Sequence, residues 1–507
     1  MTNDNERKMK MKSMQCVVVA GWTLALVTGC SSIPSVGPDY EAPQVQDREF
    51  RLPDAGAPTT NLNETCEYRP AASNEDFRVN ITTNVTAQWW RRFDDPVLAD
   101  LVDNAVSNNL TFLMAKSRLE QANWQLLGSY AGYLPKFGLG GGWSRFWNRE
   151  NTRSGGGHYN RYNVRNFAVD GSWEIDIFGG TRRLTESSLA AAEAAGWTVA
   201  DAWVALTTEI GRQYVLLRTT QERVDVARTN LVLQSETYDI LKSRFDSGIG
   251  DELAVNQCAY VVEQTRARIP QLMAQEEALK NALAILSGKT PGELHEKLAP
   301  IAERRDWLLQ PQKIASLPLN MMRSRPDVKA AERNLAAQTA RIGVAKAAWF
   351  PRLFVTGTVG FENSKSTPLF TRDSFMASLG PSVSWPIFQG GAIYANVKAT
   401  EAKTQELAYA YELALDKAYG EVRDAYSAYT QEYHRYQALQ GAVKAATDAV
   451  TISKDLYKNG LKDFNNVLDA QRSRLQLEEE FVLSRGQITL ELISLYKSLG
   501  GGLAFAD

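Results

Sequence analysis

The amino-acid sequence predicts an α+β membrane protein with an internal two-fold repeat and four strands per chain. Three observations lead there. Matching segments recur roughly 212 residues apart, two proline-free helical tracts far exceed ordinary globular helices, and four segments alternate apolar and polar residues with period two.

The chain opens with Arg7, Lys8, Lys10 and Lys12, then an apolar run from Val17 to Val27 and the small residues before Cys30. That order is a secretory signal, residues 1–29, and its apolar run falls short of the about 20 residues a spanning helix needs. Cys30 resembles the acylated cysteine of a bacterial lipobox, and Ser31 behind it implies the outer membrane. An ordinary cleavage site beside a chance cysteine is the alternative. Residues 30–87 form a lipidated N-terminal segment with a polar insert at 47–86, which holds Cys66. No disulfide to Cys258 is expected. With 56 Lys and Arg against 58 Asp and Glu, the chain has no electrostatic case for nucleic acid. Beyond the leader no stretch reads as a transmembrane helix, so any further crossing needs strands.

Repeat 1 covers 88–289 and repeat 2 covers 323–502, with an equatorial linker at 290–322 and a tail at 503–507. Each opens helically, over Asp95 to Ala131 and Arg325 to Ala348, and each helix stops at an apolar-Pro pair, Leu134-Pro135 or Phe350-Pro351. A β-hairpin follows, at about 136–177 and about 352–387. Phe167, Val169, Trp173, Ile175 and Ile177 alternate with Asn166, Asp170, Ser172, Glu174 and Asp176; Phe375, Ala377, Leu379, Val383, Trp385 and Ile387 alternate with Ser378, Gly380, Ser382 and Ser384. The strand at Leu139 to Trp147 is the weakest, since Gly140-Gly141-Gly142 dilutes its pattern. Helical hairpins complete the halves, at about 181–287 and 392–499. Their long tracts, of roughly 65 residues, make about 100 Å of helix. The tracts break at Gly248 and Gly460, with Val255 and Val467 seven residues beyond, and Pro270 is expected to kink the first return helix.

Four strands cannot close a barrel, and lipid does not tolerate open sheet edges. Two copies give eight strands around a packed interior; three give twelve and a lumen. Asp170, Glu174 and Asp176 suit a watery lumen, so a trimer is the economical solution.

The residues also carry a resemblance. Arg323-Ser324-Arg325-Pro326-Asp327, Ile342-Gly343-Val344-Ala345, Trp385-Pro386-Ile387-Phe388, Val467-Leu468-Asp469-Ala470-Gln471-Arg472-Ser473 and the closing Leu495 to Gly502 resemble the TolC-like outer membrane factors. The likeness runs from about Gln88 to Gly502 and is nearest to the lipidated branch serving resistance-nodulation-division efflux pumps. It implies a homotrimeric 12-stranded β-barrel in outer-membrane lipid, continued by a periplasmic α-helical barrel. Such a conduit passes drugs or other small toxic compounds from an inner-membrane pump and a periplasmic adaptor, without cofactor or catalysis.

The resemblance places Asp469 at an acidic ring of the periplasmic gate, with Asn466 and Asp463 beside it. A structural ion pair of Asp469 with Arg472 is the alternative. Gly248, Asp251, Gly460 and Lys462 are expected adaptor contacts, unless their charges are merely solvated caps. Gly288-Lys289-Thr290 resembles the end of a phosphate loop, but Leu283 stands where its first glycine belongs. The three histidines are too scattered to hold a metal. A type I protein secretion duct shares the expected fold, and a coiled-coil periplasmic adaptor lipoprotein is the remaining alternative.

Overall fold

The computed structural model describes residues 35–43, 89–150, 158–300, 323–364 and 368–501; Cys30, Cys66 and the insert at 47–86 lie outside them. The opening helical stretch is two helices rather than one, α1 (Pro96–Asn108) and α2 (Leu110–Tyr130). Asn109 divides them with an extended backbone at ψ 121°. Its side chain accepts the Phe112 N–H at 2.9 Å and donates to the Leu286 carbonyl at 2.9 Å, so the break caps the next helix.

Strands β1 (Lys136–Glu150) and β2 (His158–Ile175) follow, then the long helix α3 (Gly180–Asp246) and its return α4 (Glu252–Leu286). The second half runs α5 (Pro326–Ala347), β3 (Arg352–Asn363), β4 (Phe375–Ser384), α6 (Ala392–Lys458) and α7 (Phe464–Ser498). The helices α3 and α6 each hold 67 residues and their returns each hold 35. Each long helix starts behind a glycine in the left-handed region, Gly179 at φ 77° or Gly391 at φ 87°. The α4 helix continues through Pro270.

The strands form one antiparallel sheet in the order β1-β2-β3-β4. β1, with its four glycines, pairs with β2 along its entire length. The register puts like parity opposite like parity throughout: Leu139, Val169, Val359 and Ala377 stand in one row, and Gly138, Asp170, Thr358 and Ser378 in the next. Odd-numbered residues therefore share one face and even-numbered residues the other. Phe137, Leu139, Val359, Leu379 and Val383 are all exposed on the odd face, an apolar surface that no other described residue covers. Two glycines facing each other, Gly171 and Gly357, make room on it: a Cβ at Gly171 would lie 3.0 Å from the Phe137 ring, and one at Gly357 3.1 Å from Leu379.

The main core lies where α1 meets α3 and α7. Trp89 stacks on Tyr496 with ring centroids 5.7 Å apart and fits over Gly211, where any side chain would collide with it. Leu294 and Leu298, in the expected linker, are buried in this core. Asp95 fastens it. One carboxylate oxygen accepts the Val97 N–H at 2.8 Å, capping α1, and the other accepts the Tyr214 hydroxyl at 2.6 Å. Arg218 then reaches the Tyr214 hydroxyl at 3.0 Å and the Ala299 carbonyl at 2.8 Å, so α1, α3 and the 290–300 segment share one buried network.

Residues 35–43 lie as a strap over α3 and α5, an arrangement that sequence patterning did not foresee. The Val36 N–H donates to the Phe178 carbonyl at 3.2 Å. Gly37, at φ 105°, presses on Gly343 of α5 so closely that a Cβ would stand 2.5 Å from the Gly343 Cα. Arg183, 3% exposed, donates to Asp39 at 2.6 Å, to the Gly37 carbonyl at 3.3 Å and to Glu186 at 2.8 Å. Tyr40 packs against Ala190, Ala336 and Ala337 with the Arg333 guanidinium over its ring, and burial, with Glu332 nearby, pushes its hydroxyl up to about 12. Replacing Arg183 with Ala removes charge-assisted bonds worth on the order of 2 kcal/mol to the strap. Chymotrypsin cleavage after Tyr40, followed by mass spectrometry, should accelerate several-fold in R183A; an unchanged rate would show that Arg183 does not hold the strap.

Candidate functional site

The two helical hairpins end side by side in the same kind of turn. After α3, Gly248 (φ 74°) donates to the Phe245 carbonyl at 2.8 Å and Ile249 to Arg244 at 3.0 Å. After α6, Gly460 (φ 70°) donates to Tyr457 at 3.0 Å and Leu461 to Leu456 at 2.9 Å. Both are Schellman caps, which demand the left-handed glycine. The Arg244 guanidinium lies over the Tyr457 ring at 5.3 Å, and Tyr457 meets Phe464 edge-on at 5.4 Å. Beneath them Leu241, Cys258, Phe464, Val467 and Leu468 form a small core.

The four tip residues expected from sequence thus gather at one end. Asp251 is a working cap, accepting the Leu253 N–H at 3.0 Å, while Lys462 is exposed. Sequence reasoning passed over Ile249 and Leu461, 74% and 68% exposed, the apolar residues directly behind the two capping glycines. That position was the available signal.

Asp463, Asn466 and Asp469 line the exposed side of the first turns of α7, opposite the buried Phe464, Val467, Leu468 and Gln471. Asn466 donates to the Asp463 carbonyl at 3.2 Å. Asp469 pairs with Arg472 at 3.5 Å, and that guanidinium lies 5.0 Å above the Tyr260 ring. The ion-pair alternative is therefore formed within the chain. Asp469 remains 75% exposed in it, so the pair is worth at most about 1 kcal/mol and leaves the carboxylate available.

Above the tips, charged side chains bridge the hairpins. Glu222 of α3 pairs with Arg485 of α7, Arg268 of α4 with Glu479 of α7, and Asn230 donates to Glu478 at 2.9 Å. Burial holds the Glu479 carboxyl above its ordinary range despite Arg268 and Arg223 beside it.

On the sheet, Asp170 and Glu174 share the even face. Asp170 accepts the Thr358 hydroxyl at 2.7 Å, and Glu174 lies 3.9 Å from Arg352. Asp176 departs from expectation. β2 ends at Ile175, and the Asp176 carboxylate accepts the Arg182 N–H at 2.8 Å, committing it to the start of α3 instead of the strand face. Ile177 likewise lies past the end of β2, and Trp385 and Ile387 past the end of β4. Among the described residues no group of three acidic, His or Cys side chains could hold a metal ion, and no helix is long and apolar enough to cross a membrane.

A four-stranded sheet with one bare apolar face, set on paired helices of about 100 Å, defines a protein that meets lipid with strands and carries a long helical shaft. Comparison with known proteins narrows this class. The family model described as outer membrane efflux protein matches residues 101–289 and 317–501, and the chain belongs to that family. It is 29% identical to the outer membrane protein OprJ of Pseudomonas aeruginosa over 430 residues, 82% of this chain and 86% of that one. It is 28% identical to nodulation protein T of Rhizobium leguminosarum bv. viciae over 458 residues, 89% and 90% of the two chains. Among solved structures it resembles the outer-membrane channel OprN with a TM-score of 0.79 and 29% identity, covering 92% of this chain and 99% of that one. The protein is thus an outer-membrane efflux component, as the sequence resemblance implied, and its family is one of transporters.

Cys258 reports on the packing at the tips. It is 1% exposed, its thiol points at the Gln234 carbonyl 3.8 Å away, and burial pushes its pKa up to about 11. Alkylation of the Cys258 peptide at pH 8 should be at least about 100-fold slower in the native protein than in denaturant, because both thiolate and access are lacking. Rapid native labelling would show that the small core beneath the tips is open.

Proposed function

We propose that three copies of the chain close a twelve-stranded barrel in the outer membrane, continued by a periplasmic helical barrel, through which small toxic compounds such as drugs pass without catalysis. The observation that carries this is the open sheet, with β1 and β4 at its edges and an uncovered apolar face. In lipid each unpaired backbone group costs several kcal/mol, so the edges need partner strands. Eight strands enclose packed side chains, whereas twelve leave a lumen, and the even face with Asp170, Thr358, Glu174 and Ser378 suits water. The two halves of the chain would be copies of one unit, giving six units about the axis.

In this reading acylated Cys30 anchors the chain and an inner-membrane resistance-nodulation-division pump supplies the energy. A periplasmic adaptor meets the tips at Gly248, Asp251, Gly460 and Lys462. Asp469 faces the axis as a ring of three carboxylates, with Asn466 and Asp463 beside it. Like charges there repel, and each Arg472 offsets part of that repulsion. The ring would draw cations to a closed gate.

Planar bilayers provide the test. The purified protein should give a channel whose cation preference at low salt falls on Asp469→Ala, by roughly two- to fivefold in permeability ratio for a ring of this kind. Absence of conductance from both proteins would sink the conduit. Deleting the gene should sensitise cells to drugs; lost export of one protein with unchanged sensitivity would favour a secretion duct.

A further inference from the structure

The β1-β2 hairpin outlasts its neighbours. β3 ends at Asn363, paired with Arg165, while β1 and β2 continue as a ribbon to Glu150 and His158. The pairing stays regular along that ribbon, so the odd face below it remains the odd face within it. The chemistry of the face changes nonetheless. Below Phe167 it is apolar; above, it carries Arg145, Arg161 and Arg165 together with Trp143 and Trp147. All five are exposed, and the Arg145 guanidinium lies 5.6 Å from the centroid of the Trp147 ring. Among the residues whose side chains are described, no carboxylate pairs with these arginines. The even face inverts in the opposite sense, with Phe146 and Tyr162 stacked at 5.2 Å.

The level of this change is informative. Trp173 and Trp385 tie the lower rim of the sheet to the chain below it, donating to the Tyr133 and Trp349 carbonyls at 2.9 and 3.0 Å. From Ile175 up to Arg165 is ten residues of one strand, about 33 Å along it and about 25 Å in height at a tilt of about 40°, the height of the apolar band of an outer-membrane barrel. A ring cluster of Phe167, Phe361, Phe370 and Phe375 marks the top of that band. The arginines begin where hydrocarbon gives way to headgroups.

We propose that the outward face of the β1-β2 extension, Arg145, Arg161 and Arg165 with Trp143 and Trp147, binds the phosphate-bearing headgroups of outer-leaflet lipid. Guanidinium forks match phosphate oxygens two at a time, and Trp belongs at the boundary between hydrocarbon and water. The surface continues the lipid-facing side without interruption, which is why its occupant is a lipid rather than a soluble anion. This rests on the odd face meeting lipid, as the barrel reading requires.

The full-length protein would be incorporated into phosphatidylcholine vesicles with or without a minor fraction of lipid A, a diphosphorylated glycolipid. It would then be extracted in mild detergent, and its retained lipid A measured. Wild type should retain lipid A in the presence of inorganic phosphate, and an R145Q/R161Q/R165Q variant should retain on the order of tenfold less, while R145K/R161K/R165K keeps an intermediate share. Conductance in the same vesicles tests the barrel separately, and it should be equal in all three. Equal retention by wild type and the Gln variant overturns the proposal, as does displacement by inorganic phosphate. Should the triple variant fail to assemble, R161Q alone must lower retention and raised salt must weaken it in wild type; indifference to both overturns it equally.

Discussion

Hydrocarbon offers the backbone nothing, and most of this structure follows from that. A helix satisfies its own N–H and C=O groups, and no helix among the described residues is long and apolar enough to cross a membrane. Strands satisfy one another only sideways. Four of them in the order β1-β2-β3-β4 leave two edges and one apolar face, a surface that is a liability in water and an asset in lipid. The sheet is the part of the chain least able to stand alone.

The helical part answers a different demand. Helices of 67 residues expose far more flank than one core can cover, and burial is largest in the Trp89-Tyr496 core and the cluster beneath the tips, with smaller clusters such as Val224, Ala227 and Leu272 elsewhere along them. Between them, ion pairs such as the half-buried Glu222 with Arg485, and the exposed Arg268 with the buried Glu479, hold the hairpins together. Buried charges stabilise less than apolar packing would, but a charged side chain that finds its partner at one register only discourages sliding. Such pairs suit a shaft whose helices could otherwise shift by a turn.

Much of the fold was legible because its signals are repetitive. Period-two alternation located three strands well, and left-handed glycine positions located both tips to the residue. The first strand reads weakly because glycine interrupts an apolar pattern, whereas between ladder-paired strands it only leaves room for a neighbouring ring, as Gly141 does for Phe167. Asn109 reads as helical in sequence because a cap in mid-stretch differs little from an exposed helical residue until its long-range bond to Leu286 is known. Asp176 kept the strand parity but not the strand. The strap and the Asp95-Tyr214-Arg218 network left little trace, since each joins residues over 100 positions apart through geometry that no local pattern encodes. Asp469 and Arg472 were both visible in sequence, and their pairing was one of the two readings open there.

The equal helix lengths limit how such a chain can change. Both tips reach the same level because α3 matches α6 and α4 matches α7 residue for residue in length. Each added turn lifts a tip by about 5.4 Å. An insertion in one hairpin alone would separate the two turns, strip Tyr457 from Arg244 and open the small core beneath. Viable length variants should therefore arise as paired events, four helices gaining or losing together, so that the shaft evolves in whole steps while the loops of the sheet vary one residue at a time.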